Sequence, residues 1–195
     1  MSPRAGLTRE RIAESAAGLA DEIGFDNVTL SAVARRFGVK DPSLYTHVRN
    51  LHDLRVRVAL LAAAELNDRI GLAVAGRSGK DALIAFAGAY RAYALEHPGR
   101  YAATQMRMDP AEVAGEPALL RSIALTTSIL RGYGLDADAG LDAGRLLRST
   151  FHGFATLEAA GGFAHSRPTD ASWHHILEAL HRTLSSWPAD AGEHH

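Results

Sequence analysis

Tyr45, Thr46 and His47 stand side by side in the stretch GVKDPSLYTHV, Gly38 to Val48. A phenol, a small hydroxyl and an imidazole are all hydrogen-bonding groups, and the segment that carries them is too short to bury much. Asp41 followed by Pro42 reads as a helix start: the carboxylate accepts orphan N–H groups, and Pro is preset for the first helical position. At about 100° per residue, Leu44 and Val48 fall together and define a buried side. Thr46 lies opposite them with Pro42 and Ser43 nearby, while Tyr45 and His47 occupy the shoulders. Small groups on the leading face and larger ones beside it suit a helix in a DNA major groove, reaching base edges in front and phosphates at the sides. Lys40 in the turn and Arg49 after the helix add cations where phosphates would lie. On spacing alone, the stretch fits equally well a surface αα-hairpin that touches nothing.

Other chemistry has little support. There is no Gly-rich phosphate loop, no GxSxG, no HExxH and no carboxylate cluster of the kind that cleaves DNA. His165, Ser166 and Asp170 are near one another only along a loop. His174, Glu178 and His181, at i, i+4 and i+7, could hold Zn²⁺ or Ni²⁺. They lie beside a leucine seam with no fourth ligand, so a solvated face is the better reading. No catalytic residue, metal or cofactor is expected, and His194-His195 reads as chain end or tag remnant.

The elements that must position the stretch are helical throughout. Ile12, Ala16, Leu19, Ala20 and Ile23 share one face of a helix opened by Thr8 and closed by Gly24. Leu30, Val33, Ala34 and Phe37 repeat the pattern after Thr29, and Gly38 ends that second helix at once. With the turn at Gly38-Val39-Lys40, it completes a helix-turn-helix. A fourth helix spans about Leu51–Ala75 and breaks at GRSG, Gly76–Gly79. Others are predicted at Leu83–His97, Tyr101–Met108, Leu119–Tyr133, Leu141–Gly161 and Ala171–Trp187, making an all-α chain of about nine helices. No segment alternates with period 2.

Composition narrows the setting. The 195 residues are 47% hydrophobic and 22% charged, with no cysteine, enough for one large core or two and without disulfides or thiolate chemistry. No secretory leader is visible in MSPRAGLTRER, and the longest apolar run, Val58 to Ala64, falls far short of the ~20 residues that span a bilayer. A cytoplasmic protein with no membrane contact is expected. The net charge of −1 divides into a mildly basic first third and a mildly acidic remainder.

The second part carries its own patterns. Trp173, Leu177, Leu180, Leu184 and Trp187 repeat as a heptad seam. The preceding helix offers Thr150, Gly153, Leu157, Ala160 and Gly161 on one side, small enough for close approach. Together they form either half of an intersubunit four-helix bundle or a packing inside one subunit. Phe86, Tyr90, Tyr93, Tyr101, Met106, Met108, Phe151 and Phe154 have the character of a pocket for a neutral, mostly apolar small molecule, and equally of a core.

The run ALADEIGFDNVTLSAVARRFGVKDPSLYTHVRNLHDL resembles the TetR/AcrR family of transcriptional regulators, with Gly24, Phe25, Thr29, Leu30, Gly38, Leu44, Tyr45, His47, Val48, Asn50 and Leu54 among the matching positions. The resemblance implies phosphate contacts from Tyr45, His47 and Thr29, and places Asn50 with them at the DNA. Leu51 stands where the family often has Lys, and Asp41 sets a negative charge near the phosphates. STFHGFATLEAAGGF resembles the subgroup named for a Trp-His-Gly signature, with Phe151 in place of the Trp. That implies a ligand-binding, dimer-forming helical domain. The expectation is a homodimeric regulator, a repressor released by an effector, bound to a palindromic double-stranded operator. It has a DNA-binding domain at 1–54, an effector and dimerisation domain at 55–190, and a tail at 191–195. The alternative is a helical small-molecule binder or enzyme that does not bind DNA.

Overall fold

Thr8 opens the first helix as the spacing predicts, its hydroxyl accepting the Arg11 N–H at 3.2 Å. The structure is a computed structural model that describes residues 7–188, so His194-His195 and the tail lie outside the described residues. Among those residues it is all-α. The helices are α1 (Arg9–Ile23), α2 (Leu30–Phe37), α3 (Leu51–Val74), α4 (Gly79–Glu96), α5 (Pro98–Thr104), α6 (Pro117–Arg131), α7 (Ala137–Ala159) and α8 (Thr169–Ser185), with 3₁₀ turns at Phe25–Asn27 and Asp41–Ser43.

The ninth helix anticipated from the sequence is the 42–48 stretch, and it differs. Asp41–Ser43 is a 3₁₀ turn, continued by hydrogen-bonded turns to His47 rather than by an α-helix. Leu44 and Val48 still fall on one side, because the Val48 N–H returns to the Leu44 carbonyl at 2.9 Å and closes one α-type turn. Helix α7 starts four residues earlier than its apolar pattern suggests, because Asp136 accepts the Ala139 N–H at 2.9 Å. Ile23 ends α1 exposed rather than on the buried face.

The chain divides into two compact units. One comprises the chain up to Leu66 together with Glu96–Leu120; the other comprises Asn67–Leu95 and the chain from Arg121 on. The first unit takes in α1, α2, the greater part of α3, and α5. Its core joins Ile12, Ala16, Ala20, Phe25, Val33, Leu44, Val48, Leu54 and Val58 to Ala103 of α5. Gly99 is what brings α5 so near α1. A Cβ there would stand 2.0 Å from the Ala20 carbonyl oxygen and 2.5 Å from the Asp21 nitrogen. Asp21 fastens the contact, accepting the Arg100 N–H at 2.8 Å and the His97 Nδ1–H at 3.3 Å.

The second unit is cored by the aromatics of α4, α7 and α8. Phe151 lies 6.1 Å from Phe86, 5.8 Å from Tyr90 and 5.7 Å from Trp173, and Phe154 lies 4.7 Å from Trp173, centroid to centroid. Tilted and edge-on contacts at these separations are favourable beyond the area they bury.

Candidate nucleic-acid interface

The turn that carries Tyr45, Thr46 and His47 is held at both ends by the residues around it. Behind it, α2 finishes in a Schellman motif: Gly38 adopts φ 66°, its N–H reaches the Arg35 carbonyl at 3.1 Å, and the Val39 N–H reaches the Ala34 carbonyl at 3.0 Å. Only a residue without Cβ takes that conformation cheaply. Val39 then packs on the first unit's core. Asp41 does not cap the turn with its side chain, as the sequence suggested. Its carboxylate instead accepts the Ser31 hydroxyl of α2, so it bridges the two arms of the motif.

Ahead of the turn, Asn50 caps α3, its Oδ1 accepting the Asp53 N–H at 2.8 Å. Asp53 reaches back to the Arg49 N–H at 2.9 Å and pairs with the Arg57 guanidinium at 3.2 Å. This is a reciprocal cap of the capping-box type. Sequence reading missed Asp53, although its spacing of three from Asn50 is the signal. Burial alone would raise the Asp53 carboxyl, but the Arg49 N–H and the Arg57 guanidinium outweigh it and hold the group below its ordinary range. A lowered folded value contributes stability that is complete above the unfolded 3.8 and is lost as pH falls through the folded value. Asp53→Asn is therefore expected to lower stability by about 1–3 kcal/mol at neutral pH. The gap from the parent chain should close in acid. A gap that widens below pH 4 would contradict the assignment.

Between these anchors the side chains divide. Leu44 and Val48 are buried, while Pro42, Ser43, Tyr45 and Thr46 are exposed and His47 is half-exposed. Lys40 and Arg49 stand outside at either end, Arg49 also within 3.4 Å of Asp53. Thr29 opens α2 by accepting the Ala32 N–H at 3.1 Å. The arrangement gathers Thr29, Lys40, Pro42, Ser43, Tyr45, Thr46, His47, Arg49 and Asn50 on one motif of two arms and a turn. It offers donors and cations at its rim and small groups in its middle.

The geometry is that of a helix-turn-helix, and the comparisons agree. Residues 12–54 match the bacterial regulatory proteins of the tetR family, and residues 83–180 match the tetracyclin repressor-like C-terminal domain. The chain belongs to the TetR family of transcriptional regulators. An uncharacterized HTH-type transcriptional regulator of Mycobacterium tuberculosis is 39% identical over 80% of this chain and 72% of its own length. YobS of Bacillus subtilis, described in the same words, is 35% identical over 92% of this chain and 90% of its own. Among solved structures, apo ActR from Streptomyces coelicolor has a TM-score of 0.73 at 21% identity, over 95% of this chain and 97% of that one. A complex of ActR with actinorhodin scores 0.71 at 21% identity, over 92% and 97%. At that identity these structures share the fold. No helix among the described residues is long and apolar enough to cross a membrane.

The residues anticipated for the TetR-family effector pocket separate into two groups. In the second unit Phe86 and Tyr90 meet the Phe151 ring, Phe154 meets Trp173 and Phe163, and Tyr93 on α4 is fully buried under the Arg69 guanidinium. Tyr101, Met106 and Met108 belong to the first unit, where the two methionines pack on its core. An open groove of about 370 Å³ instead runs between α4 and α8. It is lined by Ile84, Gly88, Leu95, Trp173 and Leu177, with Arg91 at its polar end.

Arg91 is the charged residue that the sequence hid among these aromatics. Its Nε and Nη2 donate to Glu158 at 2.6 and 2.5 Å, its Nη1 donates to Asp170 at 2.7 Å, and the guanidinium lies over Phe154 and Trp173. Held this way it stays charged well beyond the ordinary range, and Glu158 is held low by the same hydrogen bonds.

The residues anticipated for the dimer seam divide by burial. Trp173, Leu177, Leu180 and Leu184 are buried within the subunit, 1–7% exposed, because Trp173 packs on the Phe151 and Phe154 rings of the same chain. Leu157 is 51% exposed, and Gly153 and Trp187 are half-buried. The trio His174, Glu178 and His181 is dispersed among other partners: the Asp170 carbonyl, Lys80 at 2.5 Å, and the Tyr133 hydroxyl.

Proposed function

We propose that this TetR-family chain is a homodimeric repressor that sets Pro42–His47 of each subunit into successive major grooves of a palindromic operator. Thr29, Lys40, Tyr45, His47, Arg49 and Asn50 hold the phosphate walls, and Pro42, Ser43 and Thr46 meet base edges. The observation that carries the reading is the division of one short turn, with Leu44 and Val48 inside and Tyr45 and Thr46 outside. One such turn covers too little duplex for specific affinity, so a two-fold partner supplies the second half-site. With the α8 seam spent inside the subunit, the exposed side of α7 at Gly153 and Leu157 is the face offered to that partner.

DNA binding is assigned to residues 1–54 and effector binding with dimerisation to 55–190. A small, mostly apolar effector releases the operator by favouring one arrangement of the dimer over another. The complex of ActR with actinorhodin supports this reading. The chain acts in the cytoplasm and has no catalytic activity of its own.

Titration of labelled random-sequence duplex at a series of salt concentrations tests the proposal. Binding should weaken steeply with salt. Tyr45→Phe and His47→Ala should each weaken it on every duplex by about tenfold, the scale of one lost hydrogen bond to a charged group. A chain that fails to bind duplex at low salt is not such a regulator.

A further inference from the structure

Two threonines in the motif use their hydroxyls in opposite senses, and the difference decides what each can offer DNA. Thr29 Oγ1 accepts the Ala32 N–H, so its own proton remains for an outside acceptor, which a phosphate oxygen is. Thr46 Oγ1 lies 3.0 Å from the Ser43 carbonyl. A carbonyl can only accept, so the Thr46 proton is spent there. To anything outside, Thr46 therefore presents an acceptor oxygen and a methyl group, and no donor.

Its neighbours reinforce that bias. Pro42 is exposed, apolar and without an N–H. Asp41 is an acceptor pinned by Ser31. No residue from Pro42 to His47 carries the guanidinium or carboxamide fork that reads guanine or adenine in bidentate fashion. In the major groove guanine shows only acceptors, N7 and O6, which find no donor on Thr46. Thymine shows a methyl, and adenine and cytosine show amino donors.

We infer that Thr46 is a base-reading residue selective for thymine. Its side-chain methyl packs on the thymine 5-methyl, its hydroxyl accepts from a neighbouring amino group, and guanine is disfavoured opposite it. The inference rests on the reading of this turn as the DNA-contacting element and adds to it the base class that is read.

The test uses the full chain. Bound duplexes are selected from a random pool, and the preferred one is remade with each thymine replaced in turn by deoxyuridine, which lacks only the methyl. One position, repeated in both half-sites, should lose about fourfold in affinity per half-site, the scale of one buried methyl. Thr46→Ser, which keeps the hydroxyl and removes the methyl, should lose about as much on the thymine duplex. It should lose nothing further on the deoxyuridine duplex. Thr46→Val, which keeps the methyl, should retain the thymine preference. Losses that simply add, or selected half-sites with guanine where Thr46 variants act, overturn the inference and leave DNA binding standing. A chain that recovers no duplex from the pool at low salt overturns the DNA reading itself.

Discussion

Arg91→Ala is expected to destabilise the second unit by about 3 kcal/mol, read as a fall in the urea midpoint followed by tryptophan fluorescence. The guanidinium is 15% exposed and makes a bidentate pair with Glu158, itself 15% exposed. Removing one partner of so enclosed a pair strands the other's charge, which costs more than the pair contributes. It also removes the cation from over Phe154 and Trp173. Asp170 is the internal comparison. It holds the same guanidinium but is 74% exposed, so Asp170→Ala should cost less than about 1 kcal/mol. Equal costs for the two variants would refute the role given to Arg91.

The pH dependence follows from the sign of the shift at Glu158. Hydrogen bonds from Arg91 lower its folded value, so its contribution is complete above the unfolded 4.5 and disappears as pH falls through the folded value. The parent chain and Arg91→Ala should therefore converge in stability in acid.

Gly99→Ala should be comparably severe in the first unit, about 3 kcal/mol, the upper range for an overpacked contact. The added carbon would meet backbone, at 2.0 Å from the Ala20 oxygen and 2.1 Å from its carbon. No side chain can swing aside to make room, so α5 must lift from α1 and pull on the Asp21 bonds to Arg100 and His97. Because both tryptophans lie in the other unit, amide hydrogen exchange in α1 and α5 is the appropriate readout. Gly88→Ala in α4 is the control: nothing lies within 4 Å of a Cβ there, and a gain of about 0.5–1 kcal/mol from helix propensity is expected. Undiminished protection in α1 for Gly99→Ala would mean that the contact is not a tight one.

What was legible in the sequence was what period and punctuation encode. Leu44 and Val48 recur at i and i+4, and Gly38 follows a short apolar stripe, so the burial of one and the turn at the other follow from local pattern. The 3₁₀ character of the reading turn was not legible, since over three residues its wheel differs too little from that of an α-helix. Nor was the Ser31–Asp41 bond, which exists only once the two arms fold back. Arg91 reads as surface on its helix, because its carboxylate partners lie 67 and 79 residues away. The heptad spacing on α8 was legible in the sequence. A heptad does not say whose surface it meets, and here it meets Phe151 and Phe154 of its own chain.

The seating of α5 on α1 also bears on modularity. The unit that holds the 41–48 turn is assembled from two stretches of chain separated by α4, so cutting after α3 would expose the part of α1 around Ala20 that α5 covers. Grafting this specificity onto another regulator means transplanting residues 96–120 along with the first 66. A chimera spliced only at the end of α3 should express as an unfolded or aggregating product even where its reading turn is intact.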